Sequence, residues 1–305
     1  KKGLLLKTNF GNNINTDITI NLDKTAPVCS LNTSGTKGTD NWFRSDVDIS
    51  FASKTDNLNV ISSYGLSTTT YNYTNNSNKL TLASDTNSQT YYGGLKDEAG
   101  NIGKCSVVVK RDTKAPTCKI TPSGTKGNEV NGLSWYRSDV DLTLSCSDSG
   151  SALEATGLAA GSYSYNSQTK GKQTAETNKV TWNGIGKDKA GNEAKVSYAF
   201  GVDKKGPSCS IKLNGTAGNY ADNIQWYKSN VGVTLECSDN ASGVFEKGLA
   251  ASKYTYNGLT SGTQSAETKK VTWGGIAKDN AGNEVKVSSP FAVDKTAPSC
   301  TINKT

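Results

Sequence analysis

Apolar and polar residues alternate with a period of two in short runs along this chain. In Val140-Asp141-Leu142-Thr143-Leu144-Ser145-Cys146 the Val, Leu and Cys fall on one side and the Asp, Thr and Ser on the other. Val231-Gly232-Val233-Thr234-Leu235-Glu236-Cys237 repeats the pattern. Such alternation predicts strands with one buried face. Val, Thr, Tyr and Trp dominate these runs, as suits a half-buried pleated surface. Turn signals separate them: Ala-Gly-Asn at 99–101, 190–192 and 281–283, and Asn257-Gly258. No run carries a helical period.

The pattern itself recurs. Asp23-Lys24-Thr25-Ala26-Pro27 returns as Asp112-Thr113-Lys114-Ala115-Pro116, as Asp203-Lys204-Lys205-Gly206-Pro207 and as Asp294-Lys295-Thr296-Ala297-Pro298. The spacings are 112−23 = 89, 203−112 = 91 and 294−203 = 91. Between the second and third copies the offset holds throughout, from Cys118/Cys209 and Trp135/Trp226 to Cys146/Cys237, Trp182/Trp273 and Asp188/Asp279. The first copy diverges but keeps the order: Trp42-Phe43-Arg44-Ser45-Asp46, Gly65-Leu66, then Asp97-Glu98-Ala99-Gly100-Asn101. The repeat divides the chain into modules at 23–111, 112–202 and 203–293. Residues 1–22 match the closing strands of a preceding module, and 294–305 the first strand of a following one. The reading is a window from a longer array. Modules of about 90 residues built from short alternating strands predict all-β, two-sheet sandwiches of about seven strands each.

Composition then removes function classes. The 305 residues contain no His and no Met, and the net charge is +7. Without His there is no His general base, no Ser–His–Asp set and no His metal ligand. No apolar run approaches the roughly 20 residues of a membrane helix, and no secretory leader is recognisable. The basic residues are scattered, so nothing points to nucleic acid.

The seven cysteines follow the repeat. Cys118 and Cys146 lie 28 residues apart, as do Cys209 and Cys237, each pair joining the first and second strands of one module. Module 1 has Cys29 on its first strand, but Ser53 at the second-strand position. Its other cysteine, Cys105, lies on the last strand, where the later modules carry Val196 and Val287. A first strand can neighbour both, so 29–105 is the expected pair beside 118–146 and 209–237. Cys300 is a first-strand cysteine of the fourth copy, its partner expected outside the chain. Cys-x-x-Cys knuckles are lacking, which argues against zinc. Disulfides place the chain in an oxidising compartment.

The recurring frame (Asp-Lys-Thr-Ala-Pro, Trp-Tyr-Arg-Ser-Asp-Val at 135–140, Ser-Asp-x-x-Ser-Gly at 238–243, Lys-Asp-x-Ala-Gly-Asn at 187–192) resembles the bacterial immunoglobulin-like repeats of secreted and cell-surface, adhesin-type proteins. The resemblance covers essentially the whole chain and is weakest in module 1. It implies tandem Ig-like sandwiches in a rod-like array, outside the cell.

In an Ig-like topology the aspartates gather at the pole facing the preceding module: Asp112, Asp148 and Asp188 in module 2, Asp203, Asp239 and Asp279 in module 3, and Asp23, Asp56 and Asp97 in module 1. Two readings stand open. Three carboxylates suit calcium, which takes six to eight oxygens, and related surface repeats use junction calcium. Alternatively each Asp caps its own turn, with Lys114, Lys187 and Lys204 nearby to neutralise charge. No other cofactor is expected. The aromatic pairs Trp42-Phe43, Trp135-Tyr136 and Trp226-Tyr227 come next. Extending the alternation backward from Val140 puts Tyr136 inside and Trp135 outside. Trp42, Trp135 and Trp226 are thus candidate ligand-stacking residues, or else packed on a loop or neighbouring module. No carboxylate pair stands out for catalysis.

The sequence therefore reads as a non-catalytic stalk or spacer of an extracellular surface protein, holding a binding region away from a cell. Its expected partners are neighbouring modules. The alternatives are direct binding of a host glycan or protein, and a filament subunit partnered by other copies.

Overall fold

The structure, a computed structural model, describes residues 22–58 and 60–303. The expected closing strands of a preceding module, at 1–22, thus lie outside the described residues apart from Leu22.

Every described element is a strand. In the first repeat Val28–Ser34, Val47–Thr55 and Lys79–Leu82 form one sheet, with Val47–Thr55 in the middle. Trp42–Phe43, Ile102–Arg111, Thr86–Asp97 and Ile61–Ser67 form the other, in that order. This is the seven-stranded two-sheet sandwich the alternation predicts. The third repeat keeps the plan: Ser208–Asn214, Val231–Ser238 and Ser261–Gln264 in one sheet, and Ala217–Ala221, Ile224–Tyr227, Glu284–Val293, Thr268–Asp279 and Val244–Ala251 in the other. Its eighth strand is the short Ala217–Ala221, which hairpins onto Ile224–Tyr227. The middle repeat has the same division into sheets of three and five strands. Residues 294–303 form no strand; the position read as an opening strand has no described strand beside it to satisfy its backbone groups.

By backbone contact the chain forms two compact units. One comprises the described residues up to 117 with 146–155 and 186–194; the other comprises 118–145, 156–185 and the described residues from 195 to 303. The limits differ from the repeat limits because the turn at 189–191 bonds to the Gly38–Arg44 segment of the first repeat.

The cores follow the period of two. Val140, Leu142 and Leu144 are buried while Asp141, Thr143 and Ser145 between them are exposed. In the first repeat Val47, Ile49, Leu82, Tyr91 and Val109 pack with Phe43. In the third, Val231, Val233, Leu235 and Leu249 pack with Trp273 and Phe291. Trp273 fits because Gly262 lies beneath its ring; a Cβ there would strike the indole. At the matching first-repeat positions, Tyr91 and Leu80 divide the volume differently.

The disulfides close these small cores in two ways. Cys29 joins Cys105 across the two sheets. Cys209 joins Cys237, its direct cross-strand neighbour within one sheet. Cys118 and Cys146 are also disulfide-bonded, and Cys300 is free and exposed. Replacing Cys209 and Cys237 together by Ser is expected to cost the third repeat about 2–4 kcal/mol. Denaturant titration of the full chain would show this as an earlier transition, and an unchanged midpoint would contradict it.

Candidate functional site

Each repeat's long hairpin ends in Asp-x-Ala-Gly-Asn, and the Asp and Asn side chains clamp one another. Asn192 donates its backbone N–H to Asp188 Oδ1 at 2.8 Å and its amide to Oδ2 at 2.9 Å. Asn283 holds Asp279 the same way, both at 2.8 Å, and Asn101 holds Asp97, both at 2.8 Å. The turn needs a positive φ at its Gly, and Gly100, Gly191 and Gly282 sit at 96°, 92° and 88°.

The same Asn amide reaches the segment that leads into the repeat. Asn192 Nδ2 donates to the carbonyls of Asp112 and Lys114 at 3.0 and 3.2 Å. Asn283 Nδ2 donates to those of Asp203 and Lys205 at 2.9 and 3.1 Å. Asp112 and Asp203 are held from the other side too. Asp112 N–H donates to the Phe43 carbonyl at 2.8 Å, and Asp203 N–H to the Tyr136 carbonyl at 2.9 Å. Their carboxylates accept further bonds: Asp112 from Lys114 N and Ser151 N, Asp203 from Lys205 N and from Ser242 N and Oγ. Each linking Asp is thus fixed through its N–H, its carbonyl and both carboxylate oxygens.

The third acid of each set caps its own loop. Asp148 accepts from Gly150 N, and Asp239 accepts from the backbone of Ala241, Ser242 and Gly243. Asp56 Oδ2 accepts from Leu58 N at 3.0 Å, whereas its Oδ1 is buried with no hydrogen-bond partner.

Turn capping is therefore real, and so is convergence. In each set, 23/56/97, 112/148/188 and 203/239/279, one carboxylate oxygen per residue lies within 4.8 Å of the others. Asp112, Asp188, Asp203 and Asp279 are almost fully buried. Two of the expected lysines form ion pairs with other acids, Lys187 with Glu154 at 3.1 Å and Lys204 with Asp139 at 2.5 Å, while Lys205 acts electrostatically on Asp203. Burial, with Asp112 and Asp188 nearby, pushes the Asp148 carboxyl up from its ordinary value. Burial also raises Asp279, against the Asn283 hydrogen bonds and helped by Asp203 and Asp239. The residues fit a calcium ion. Calcium binds oxygens at about 2.3–2.6 Å, so two ligands across it lie roughly twice that apart, and an orphaned buried carboxylate oxygen already points to a missing partner.

The turn is also a docking element. Lys189 O accepts from Thr39 N, Gly191 O accepts from Arg44 at 2.7 Å, and Lys189 Nζ pairs with Asp40 at 2.5 Å. In the other unit Asn280 O accepts from Asn128 N, and Gly282 O from Arg137 at 3.0 Å.

The aromatic reading needs correction. Trp42 and Trp135 are buried, at 8% and 7% exposure, and only Trp226 is half-exposed. The alternation does not extend back through the bend at 137–138, so it placed Trp135 wrongly. Trp135 also lies opposite Gly201 in a parallel ladder, and its ring settles onto the space where a side chain would stand. The residues that alternation missed are Asn101, Asn192 and Asn283. Their signal was the fixed four-residue offset from the turn Asp.

No known protein family and no curated protein matches this sequence. Among solved structures the chain is similar to tandem β-domain proteins. One is a tetra-tandem repeat from the extending region of a large adhesion protein, at 13% identity over 88% of this chain and 75% of that one, TM-score 0.34. Another is protocadherin gamma B2 extracellular cadherin domains 3–6, at 13% over 87% and 73%, TM-score 0.32. A third is the fibronectin(III)-like modules of Clostridium thermocellum CbhA, at 14% over 57% and 94%, TM-score 0.32. Likeness at this level says nothing of ligand or activity.

Asp148→Asn tests the electrostatics. The Asn can still cap Gly150 N but removes one of the crowded charges. A carboxyl whose folded pKa is raised costs stability increasingly as pH climbs from its unfolded value through the folded one. In chelator the variant is therefore expected to melt above the parent at neutral pH, with the gain fading on acidification. Asn283→Ala, which removes the amide donor to Asp279 Oδ2 and to the carbonyls of Asp203 and Lys205, is expected to lose about 1–3 kcal/mol. Parallel thermal melts between pH 4 and 7.5 read both.

Proposed function

We propose that the chain is a non-catalytic spacer segment of an extracellular, adhesin-like bacterial surface protein, stiffened at its repeat junctions by calcium. The observation that supports this most directly is the double anchoring of Asp112 and Asp203. Each linking residue is bonded to the strand before it and to the turn after it, leaving little backbone free to hinge. Flexible connectors lack such bonds. Disulfide bonding argues for an oxidising setting outside the cytosol. No helix among the described residues is long and apolar enough to cross a membrane.

Calcium would supply positive charge to each crowded acidic set and tie its three loops together. Asp112, Asp148 and Asp188 would hold one ion, Asp203, Asp239 and Asp279 a second, and Asp23, Asp56 and Asp97 a third. Three modules in line would span roughly 100 Å, from strands of about seven residues at 3.3 Å each and the loops at their ends.

Two measurements test the proposal. Small-angle scattering of the full chain is expected to give a maximum dimension of roughly that length, little changed by calcium beyond a narrower distribution. A compact particle or a broad distribution would sink the spacer reading. Isothermal titration calorimetry is expected to show calcium binding, with a higher melting temperature than in chelator. Flat titrations with unchanged melting would leave the aspartates as turn caps alone.

A further inference from the structure

Two repeats hold a tyrosine out into solvent on their flank. Tyr254 is 44% exposed, and its counterpart 91 residues earlier, Tyr163, is 43% exposed. Tyr163 belongs to the middle repeat, which has a repeat on either side, so adjoining repeats leave this flank open.

The loop that carries Tyr254 is held against the outer face of the larger sheet. Gly275 faces Leu235 of the core, so Gly274 beside it faces outward. A Cβ on Gly274 would meet the Lys253 carbonyl oxygen at 2.6 Å and the Tyr254 ring at 3.1 Å, and one on Gly248 would strike the Thr255 carbonyl oxygen. Ser252 N donates to the Thr272 carbonyl and Gly258 N to that of Lys247. The Asn257 side chain accepts from Leu249 N and donates to Leu249 O. Lys286, paired with Glu284 and 5.9 Å from the Tyr254 ring centroid, adds a cation–π contact. A large aromatic ring is thus kept partly in water, in one fixed place.

Beside it is a cleft of about 460 Å³, lined by Tyr254, Ser252, Lys253, Lys270 and Thr272. Lys270 and Thr272 share the outward side of Gly274 by the period of two. No acid lines the cleft, and among the described residues neither Lys253 nor Lys270 makes an ion pair. Its size falls within the roughly 300–1,000 Å³ of small-ligand sites. We propose that the cleft binds an acidic sugar, a pyranose ring that carries a carboxylate or a sulfate. The C–H face of the ring would lie on Tyr254, its hydroxyls would meet those of Ser252 and Thr272, and its anionic group would pair with Lys253 and Lys270.

An acidic peptide fits less well. The neighbouring sheet edge, Val244–Ala251, already gives backbone groups of Lys247 and Leu249 to its own loop, so a peptide has no free edge there to extend. The cation pair belongs to the third repeat alone. The middle repeat keeps Tyr163 and Lys179 but has Ser162 in place of Lys253, and the first has Asn72 and Thr90 at the two lysine positions. The site lies on a flank and not at a junction, so it stands independently of the spacer reading and of calcium.

Saturation-transfer NMR of the full chain tests it, with sialyllactose and a sulfated heparin disaccharide as probes and lactose as the neutral control. Transfer to an acidic probe and not to lactose is expected, and the probe that responds tells a carboxylate from a sulfate. Lys253→Ser, which copies the middle repeat, is expected to weaken binding about tenfold. Lys253→Glu combined with Lys270→Glu is expected to abolish it. Both lysines are exposed, and an unchanged melting temperature shows that the variants fold. No transfer to either acidic probe, equal transfer to lactose, variants that bind like the parent, or displacement of the sugar by an equal concentration of a glutamate-rich peptide would each overturn the proposal.

Discussion

The structure depends on a buried carboxylate held by an asparagine four residues later. Asp188 and Asp279 are fully buried, and neither could be so without the two hydrogen bonds each receives from Asn192 or Asn283. The clamp does more than close a hairpin. By giving its remaining amide hydrogen to the carbonyls of the linking segment, the Asn makes the turn and the start of the repeat one rigid object. Glycine supplies the positive φ the turn requires, and the turn carbonyls at 189–191 and 280–282 accept hydrogen bonds from Thr39 and Arg44 and from Asn128 and Arg137. Hairpin closure, linker fixation and docking therefore share one five-residue element.

That economy has an electrostatic cost. Bringing the linking Asp, the loop Asp and the turn Asp together concentrates three negative charges in a poorly solvated place. Backbone N–H groups meet part of it, as at Asp203 and Asp239. What they leave is visible in the raised Asp148 and Asp279 carboxyls and in the unpartnered Asp56 oxygen. Despite burial, the Asn101 side chain and the turn's N–H groups hold the Asp97 carboxyl below its ordinary value, so hydrogen bonds offset the crowding in the first repeat and leave repulsion in the other two. A divalent cation would cancel it, so turn capping and the proposed calcium are compatible in one site.

The fold was legible because its rule is local: alternation in Val140–Ser147 set which residues face the core, and the turn triplets marked where strands end. The acidic sets were legible because repetition carried them at fixed offsets. What alternation could not give was any property set by the strand opposite. Trp135 is buried because Gly201 happens to lie across the ladder, a fact of register between residues 66 apart. The Asn clamp was hidden differently: Ala-Gly-Asn reads as a turn on composition alone, and only the donor geometry reveals the link to Asp112 and Asp203.

The differences among the repeats show which parts of the design are interchangeable. Cys29 bonds across the sheets to Cys105, while Cys209 bonds along its own sheet to Cys237. A staple restricts the unfolded chain wherever it is placed, so its position can move between repeats. The strand end before the linker varies as well. Buried Arg111 pairs with Asp46 and Asp85 in the first repeat, whereas Val202 and Val293 hold that place in the others, with Lys204 and Lys295 reaching the same region. By contrast the Asp–Asn clamp, the linking Asp and the turn glycine recur in all three. They act between repeats, where each must fit a surface on its neighbour as well as its own fold, and a contact constrained from both sides has fewer chemical solutions than a core or a staple constrained from one.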